Sequence, residues 1–205
     1  MVVGPRGEFE PQIITMPAGE HMYRLFGNAP GRRANQFNPR MGSRTRFAFF
    51  GTPTVPVLYA AATEEAAICA TLLHDVPTAG GMITAESCRD KVMARISPTR
   101  ELRMAKFMGT GLRTLKIDAQ DITATTAARY GETVRWAAAA HEAGLDGAVW
   151  MSHRCNTDRA YVLFGDRVDV ADLVVDSSYA RAFALEPDLA WLTDLCVPLH
   201  VDVRW

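Results

Sequence analysis

Residues 57–75, VLYAAATEEAAICATLLHD, restrict the folds open to this chain more than any other stretch. After Pro53 and Pro56, the run Val57, Leu58, Tyr59 has the apolar, β-branched and aromatic character of a short buried strand, and from Thr63 the alanine, glutamate and leucine content is that of a helix. Thr63 is placed as the N-cap. Glu64 and Glu65 fall in the first turn, where carboxylates complement the helix dipole, and Pro77 marks the end. Ala66, Ala70 and His74 recur every four residues and are expected on one helix face. A strand thus delivers Tyr59 to the entrance of a helix. On this pattern alone the unit reads as a core strand and helix of an α/β layer.

With 205 residues, 48% of them hydrophobic, and a mean hydropathy near zero, the chain is long enough for one well-buried domain and short for two. The first twenty residues hold Pro5, Pro11, Pro17 and three glycines, and read as an extended arm, not a packed element. The domain proper is expected over 21–205. Strands are expected at 21–26, carrying Arg24, and at 46–50, separated by a long loop rich in glycine, proline, asparagine and arginine. Further strands are expected at 91–96, 147–151 and 160–164, with a turn at 155–158 between the last two. Residues 125–143 form the clearest helix, with Tyr130, Val134, Ala137, Ala138 and His141 on one face and Gly144 as its stop. Residues 100–122 fit no single pattern. Their GTGLRT segment at 109–114 is half of a dinucleotide fingerprint without its third glycine. From Val197 to the end, apolar and polar residues alternate as in a one-sided strand, at a sheet edge because of Pro198.

A formal net charge of −1 argues against a general nucleic-acid binder, which carries a basic excess, and Arg32 with Arg33 make only a local basic spot. The four cysteines, Cys69, Cys88, Cys155 and Cys196, show no CxxC spacing, and no secretory segment opens the sequence. Reduced, buried thiols in a cytoplasmic protein are the expectation. No apolar run approaches the roughly 20 residues of a membrane-spanning helix. Phosphate loop, zinc helix and nucleophile elbow motifs are missing, and His153 with Cys155 supplies too few ligands for a metal site. Neither a metal nor a cofactor is therefore expected.

The segments YRLFG (23–27), FNP (37–39), RF (46–47), VLYAA (57–61), LLHD (72–75) and WMSHRCNTDRAYVLF (150–164) together resemble the RES domain, the toxin of Xre-RES toxin–antitoxin systems. The resemblance implies an α/β (α+β) fold like that of the NAD-splitting ADP-ribosyltransferases, with NAD+ as substrate. It also implies an Xre-type antitoxin as partner, through which alone the protein would meet DNA. Family activities are hydrolysis of NAD+, phosphorolysis with inorganic phosphate as co-substrate, and in some relatives transfer of ADP-ribose to protein. Matched motif by motif, the family arginine falls on Arg46, a pocket tyrosine on Tyr59, the serine on Ser152, and a further arginine on Arg24. The family glutamate falls on Ala70, because AICATLLHD stands where a pattern like AIxETLLH is expected. Glu64 and Glu65 lie too early in the helix to replace it.

The residue types fit the chemistry implied. Arginine presents a planar donor fork suited to a diphosphate, which makes Arg24 and Arg46 candidate substrate clamps. Tyr59 can stack on nicotinamide, and Ser152 can orient ribose or nicotinamide by a hydrogen bond. Breaking the ribose–nicotinamide bond develops oxocarbenium character that a carboxylate stabilises and an alanine does not. Each residue also has a plain structural reading: ion pairs for the arginines, a core ring for Tyr59, a strand-end cap for Ser152. The expectation is that Arg24, Arg46, Tyr59, Ala70 and Ser152 converge on one cleft of a NAD-degrading toxin inactivated at position 70. An introduced inactivating substitution is the favoured origin of Ala70, with a natural pseudoenzyme as the alternative. The competing class is a non-catalytic module that binds NAD or a protein.

Overall fold

The strand–helix unit is present in the computed structural model, which describes residues 4–5 and 7–204, as β3 (Val57–Ala61) and α1 (Glu64–Thr71). The Thr63 hydroxyl accepts the Ala66 amide at 3.1 Å, as its capping position requires. The helix then ends three residues short of His74. The Leu72 and Leu73 amides both return to the Ile68 carbonyl, and Leu73 turns inward to bury its side chain. As a result His74 leaves the helix face that Ala66 and Ala70 share and lies in the following turn; along that face Ala66 is buried and Ala70 is exposed.

β3 sits inside an eight-stranded sheet of order β1-β6-β7-β8-β3-β2-β5-β9. Its other members are β1 (Ile13–Met16), β2 (Met22–Gly27), β5 (Lys91–Pro98), β6 (Leu102–Lys106), β7 (Gly147–Met151), β8 (Arg159–Phe164) and β9 (Leu173–Ala182). Neighbours are antiparallel except β6 and β7, which run parallel. A two-stranded parallel sheet of β4 (Gly81–Thr84) and β10 (Val201–Arg204) stands apart. Helices α2 (Ala85–Arg89), α3 (Thr110–Thr114), α4 (Ala119–Ile122), α5 (Tyr130–Glu142) and α6 (Glu186–Cys196) complete one mixed α/β domain.

The period-two alternation of β3 separates two cores. Leu58 and Ala60 join Met104, Val149 and Leu163 on one face of the sheet. Val57 and Tyr59 meet Phe47, Trp150 and the Trp136 and Ala137 side of α5 on the other. Ala61, also on that second face, joins Leu25, Met93 and the buried side of α1.

Several expectations are corrected. Within the N-terminal arm residues 9–16 are packed, because Ile13–Met16 between Pro11 and Pro17 suffice for a strand: β1 pairs with β6, and the Phe9 ring lies edge-on to Phe107 and Trp136; residues 1–3 and 6 lie outside the described residues. No strand forms over 46–50. The Phe47 amide donates to the Tyr59 hydroxyl and the Ala48 amide to the Thr45 carbonyl, so the donors a sheet would need are used locally. The expected helix 125–143 begins as a 3-10 turn (Ala127–Arg129) and becomes α-helical only at Tyr130, since Thr125 bonds to Arg46 instead. Residues 100–122 resolve into β6, α3 and α4. Gly111 in α3 serves packing: a Cβ there would lie 2.1 Å from the Lys106 carbonyl oxygen. In the C-terminal stretch, Pro198 belongs to a 3-10 turn (Val197–Leu199) and the strand starts at Val201. Val201 and Val203 are buried and Asp202 and Arg204 exposed, as the alternation requires; Trp205 lies outside the described residues.

Candidate functional site

Arg46 is the centre of a connected polar cluster beside α5. Its guanidinium donates to the Ile122 carbonyl at 3.2 Å, the Thr125 hydroxyl at 2.6 Å and the Thr125 carbonyl at 3.2 Å. These three bonds leave two of its five N–H groups for other partners. The flat face of the guanidinium lies 5.1 Å from the centre of the Tyr130 ring. The Tyr130 hydroxyl bonds to His74 Nε2 at 3.0 Å, and His74 Nδ1 lies 2.8 Å from Asp75.

Tyr59 joins the cluster from β3. Its hydroxyl accepts the Phe47 amide at 3.0 Å and shares a proton with Thr45 Oγ1 at 2.9 Å, which ties both neighbours of Arg46 to the sheet. Burial pushes the phenol up to about 12, so it stays protonated in the physiological range. The Tyr59 ring also meets Trp150 edge-on at 6.2 Å. Trp150 in β7 faces the same way, and Ser152 follows two residues later, buried to 2% exposure with its amide given to the Asp158 carbonyl at 2.8 Å. That bond closes the expected turn, which the Asp158 amide to Cys155 carbonyl bond at 3.1 Å completes.

Position 70 is bracketed by two contacts. On the residue before it, the Cys69 thiol meets Cys155 in the loop that follows Ser152. Four residues after it, His74 reaches Tyr130 beneath Arg46. Between these contacts Ala70 is exposed on a helix whose preceding four residues are buried. The loop contributes His153 as well. Partial burial, followed by the charges of Arg46, Arg154 and His74, pushes its imidazole below the usual histidine range.

Arg24 does not join this group. It pairs with Ala94 across β2 and β5 and so points to the face of Leu58 and Ala60, opposite Tyr59. There, buried, it donates to the Ala34 carbonyl at 2.5 Å and the Gln36 carbonyl at 2.8 Å, pinning the long loop after β2. Burial, then Arg32, lowers it to about 10. The single-cleft expectation thus fails for Arg24. Strand parity explains why: one residue along β2 separates the two faces.

Glu64 is engaged elsewhere through one carboxylate oxygen. It accepts from Arg181 Nε at 2.7 Å and from the Tyr179 hydroxyl, and Arg181 stacks on Trp191 at 3.9 Å. Glu65 is exposed and, with Glu64, Cys69, Cys155, Trp191 and Leu195, lines a groove of about 480 Å³ beside α1. Arg46 and Tyr59 are not part of that groove. Burial pushes the Cys69 thiol up to about 12, which leaves little thiolate for reaction.

Sequence reasoning missed Tyr130 and Thr125 as partners of Arg46. Tyr130 was legible only as an apolar-face helix residue, because its hydroxyl partner lies 56 residues away. His74 stood in the LLHD motif without a role.

The RES domain family model matches residues 20–188. Among solved structures, the crystal structure of the M. tuberculosis MbcT–MbcA toxin–antitoxin complex superposes with a TM-score of 0.59 at 16% identity, covering 87% of this chain and 90% of that one. No curated protein matches by sequence.

Proposed function

This chain belongs to the RES domain family, and we propose that it is a toxin-type protein whose Arg46–Tyr59–Ser152 face binds NAD+ and, in this form, lacks the carboxylate needed to cleave it. The observation that carries the reading is the preorganised Arg46: three protein bonds and a tyrosine ring fix its plane while two N–H groups stay open. A fixed fork of that kind suits a diphosphate. Tyr59, partly buried and backed by Trp150, offers its ring for the nicotinamide end. Ser152 provides a hydroxyl at the end of β7 for ribose or nicotinamide.

The bond to be broken links ribose to nicotinamide, and positive charge builds on the ribose as it stretches. A carboxylate at position 70 would stand at the exposed end of α1, between the Cys155 loop and the His74–Tyr130 contact, and would stabilise that charge. The methyl group of Ala70 cannot. Ground-state affinity from phosphate contacts and stacking can outlast the loss of cleavage. An inactive binding module is the second reading, and Ala70 itself favours it. The acceptor in an active form would be water, inorganic phosphate or a protein side chain. The similarity of fold to a toxin–antitoxin complex supports an antitoxin as partner, and the Xre type is what the family resemblance adds.

The test is Ala70→Glu. Restored cleavage of NAD+ is expected, since one positioned electrostatic group commonly contributes on the order of 10² to 10³ in rate. Glutamate is nearly as good a helix former as alanine, and the position is exposed, so the fold should be kept. Ala70→Gln, similar in size and uncharged, should stay nearly inactive. A folded Ala70→Glu protein that cleaves no NAD+ with water, phosphate or protein acceptor would leave the binding-module reading in its place.

A further inference from the structure

Between Glu20 and Glu64 the sequence contains no aspartate or glutamate, yet it carries Arg24, Arg32, Arg33, Arg40, Arg44 and Arg46. In a chain of net charge −1, this is a segregated basic stretch. Arg24 and Arg46 are held by backbone carbonyls, as described. Arg32, Arg33, Arg40 and Arg44 are exposed, and among the described residues their guanidinium groups make no ion pair or hydrogen bond.

Two of these four meet at one place. Arg40 and Arg44 line a polar hollow of about 310 Å³ together with Gly42, Phe49, Gly51 and Thr54. The backbone is shaped to hold them there. Arg40 has φ of 135°, a value that L side chains rarely adopt, and the Asn38 carboxamide oxygen fixes it by accepting the Arg40 amide at 3.1 Å and the Met41 amide at 2.6 Å. Arg44 lies over the first turn of α5, its Nη1 3.1 Å from where a Cβ on Gly131 would sit.

Two arginines lining one polar hollow bring like charges together, and an anion bound between them would relieve their repulsion. We propose that the hollow is a binding site for a small phosphate-class anion, inorganic phosphate or diphosphate, separate from the face of Arg46 and Tyr59. Each arginine supplies a planar donor fork, and Thr54 adds a hydroxyl donor. The hollow is at the small end of ligand-pocket volumes, which suits a small anion better than a whole dinucleotide. The site stands independently of the reading given to Arg46.

Calorimetry on the full chain at low ionic strength, with phosphate and with pyrophosphate, tests it. One pyrophosphate should bind per chain, more tightly than phosphate. R40Q/R44Q should weaken binding at least tenfold at unchanged Tm, and R40K/R44K, which keeps the charge but not the forks, should fall between. R89Q/R113Q removes the same charge from two other exposed positions and should bind as the parent does. No pyrophosphate binding, equal loss in both glutamine pairs, or no loss in either overturns the proposal. Displacement of pyrophosphate by NAD+ also overturns it, because the anion would then lie in the Arg46 cleft.

Discussion

Tyr59 joins structure and site through one oxygen. Its hydroxyl satisfies the Phe47 amide and bonds Thr45, so the residues on both sides of Arg46 depend on it. Tyr59→Phe removes no apolar contact but leaves the Phe47 N–H without its acceptor, at a cost of about 1–3 kcal/mol. Urea denaturation should show that loss. NAD+ affinity should fall further than stability alone explains, because Arg46 would lose its fixed plane. Unchanged affinity in the folded variant would show that Arg46 is held by the 122–125 segment alone. Thr45→Val should give the smaller effect, since it removes one partner and leaves the amide bond in place.

Among the elements, α1 matters most, because it presents position 70. Its N-terminal end is locked by Glu64 to Arg181 and Tyr179 on β9. Glu64→Gln should cost about 1–3 kcal/mol in denaturant unfolding and raise hydrogen exchange of α1 above that of β3. Equal protection in parent and variant would mean that burial of Ala66, Ala67 and Ile68 holds the helix unaided. This lock also marks the limit of what the sequence makes legible. β2, β3, β5, β7, β8, α1 and most of α5 follow from apolar periodicity and cap chemistry, which are local. Arg46, Tyr59 and Ser152 could be placed near one another only through the family resemblance. What stayed hidden is non-local: the Glu64 partners lie more than a hundred residues away, Thr125 leaves its helix to bond Arg46, and the face taken by Arg24 depends on strand register. The 46–50 segment misled because two adjacent buried residues, Phe47 and Ala48, look like a strand when they are a turn pinned by a tyrosine.

For the molecule as a whole, strong acid should loosen the β5–β9 edge. The Asp176 carboxylate is held down to about 2, first by the Ser178 hydroxyl, then by the Ser178 amide and Arg95. A folded pKa below the unfolded value near 3.8 means stability that is present above that value and lost as pH falls toward about 2. Asp176→Asn should therefore flatten the acid limb of the stability curve between roughly pH 4 and 2, with the two proteins converging below it. Parallel limbs would show that other carboxylates govern acid unfolding. The sheet order has a consequence of a different kind. The turn at Thr78 and Ala79 is exposed, and β2 and β3 before it pair with β5 and β8 after it. A chain parted between these two residues leaves Arg46, Tyr59 and position 70 on one piece and Tyr130 and Ser152 on the other. In the Ala70→Glu background, neither piece alone should lower cellular NAD, and both expressed together should, most strongly when fused to domains that bind each other. Depletion by the first piece alone would mean that β8 and the Ser152 loop are dispensable. If Ala70→Glu restores cleavage, the fold would serve as a two-piece complementation reporter whose signal is the loss of a metabolite.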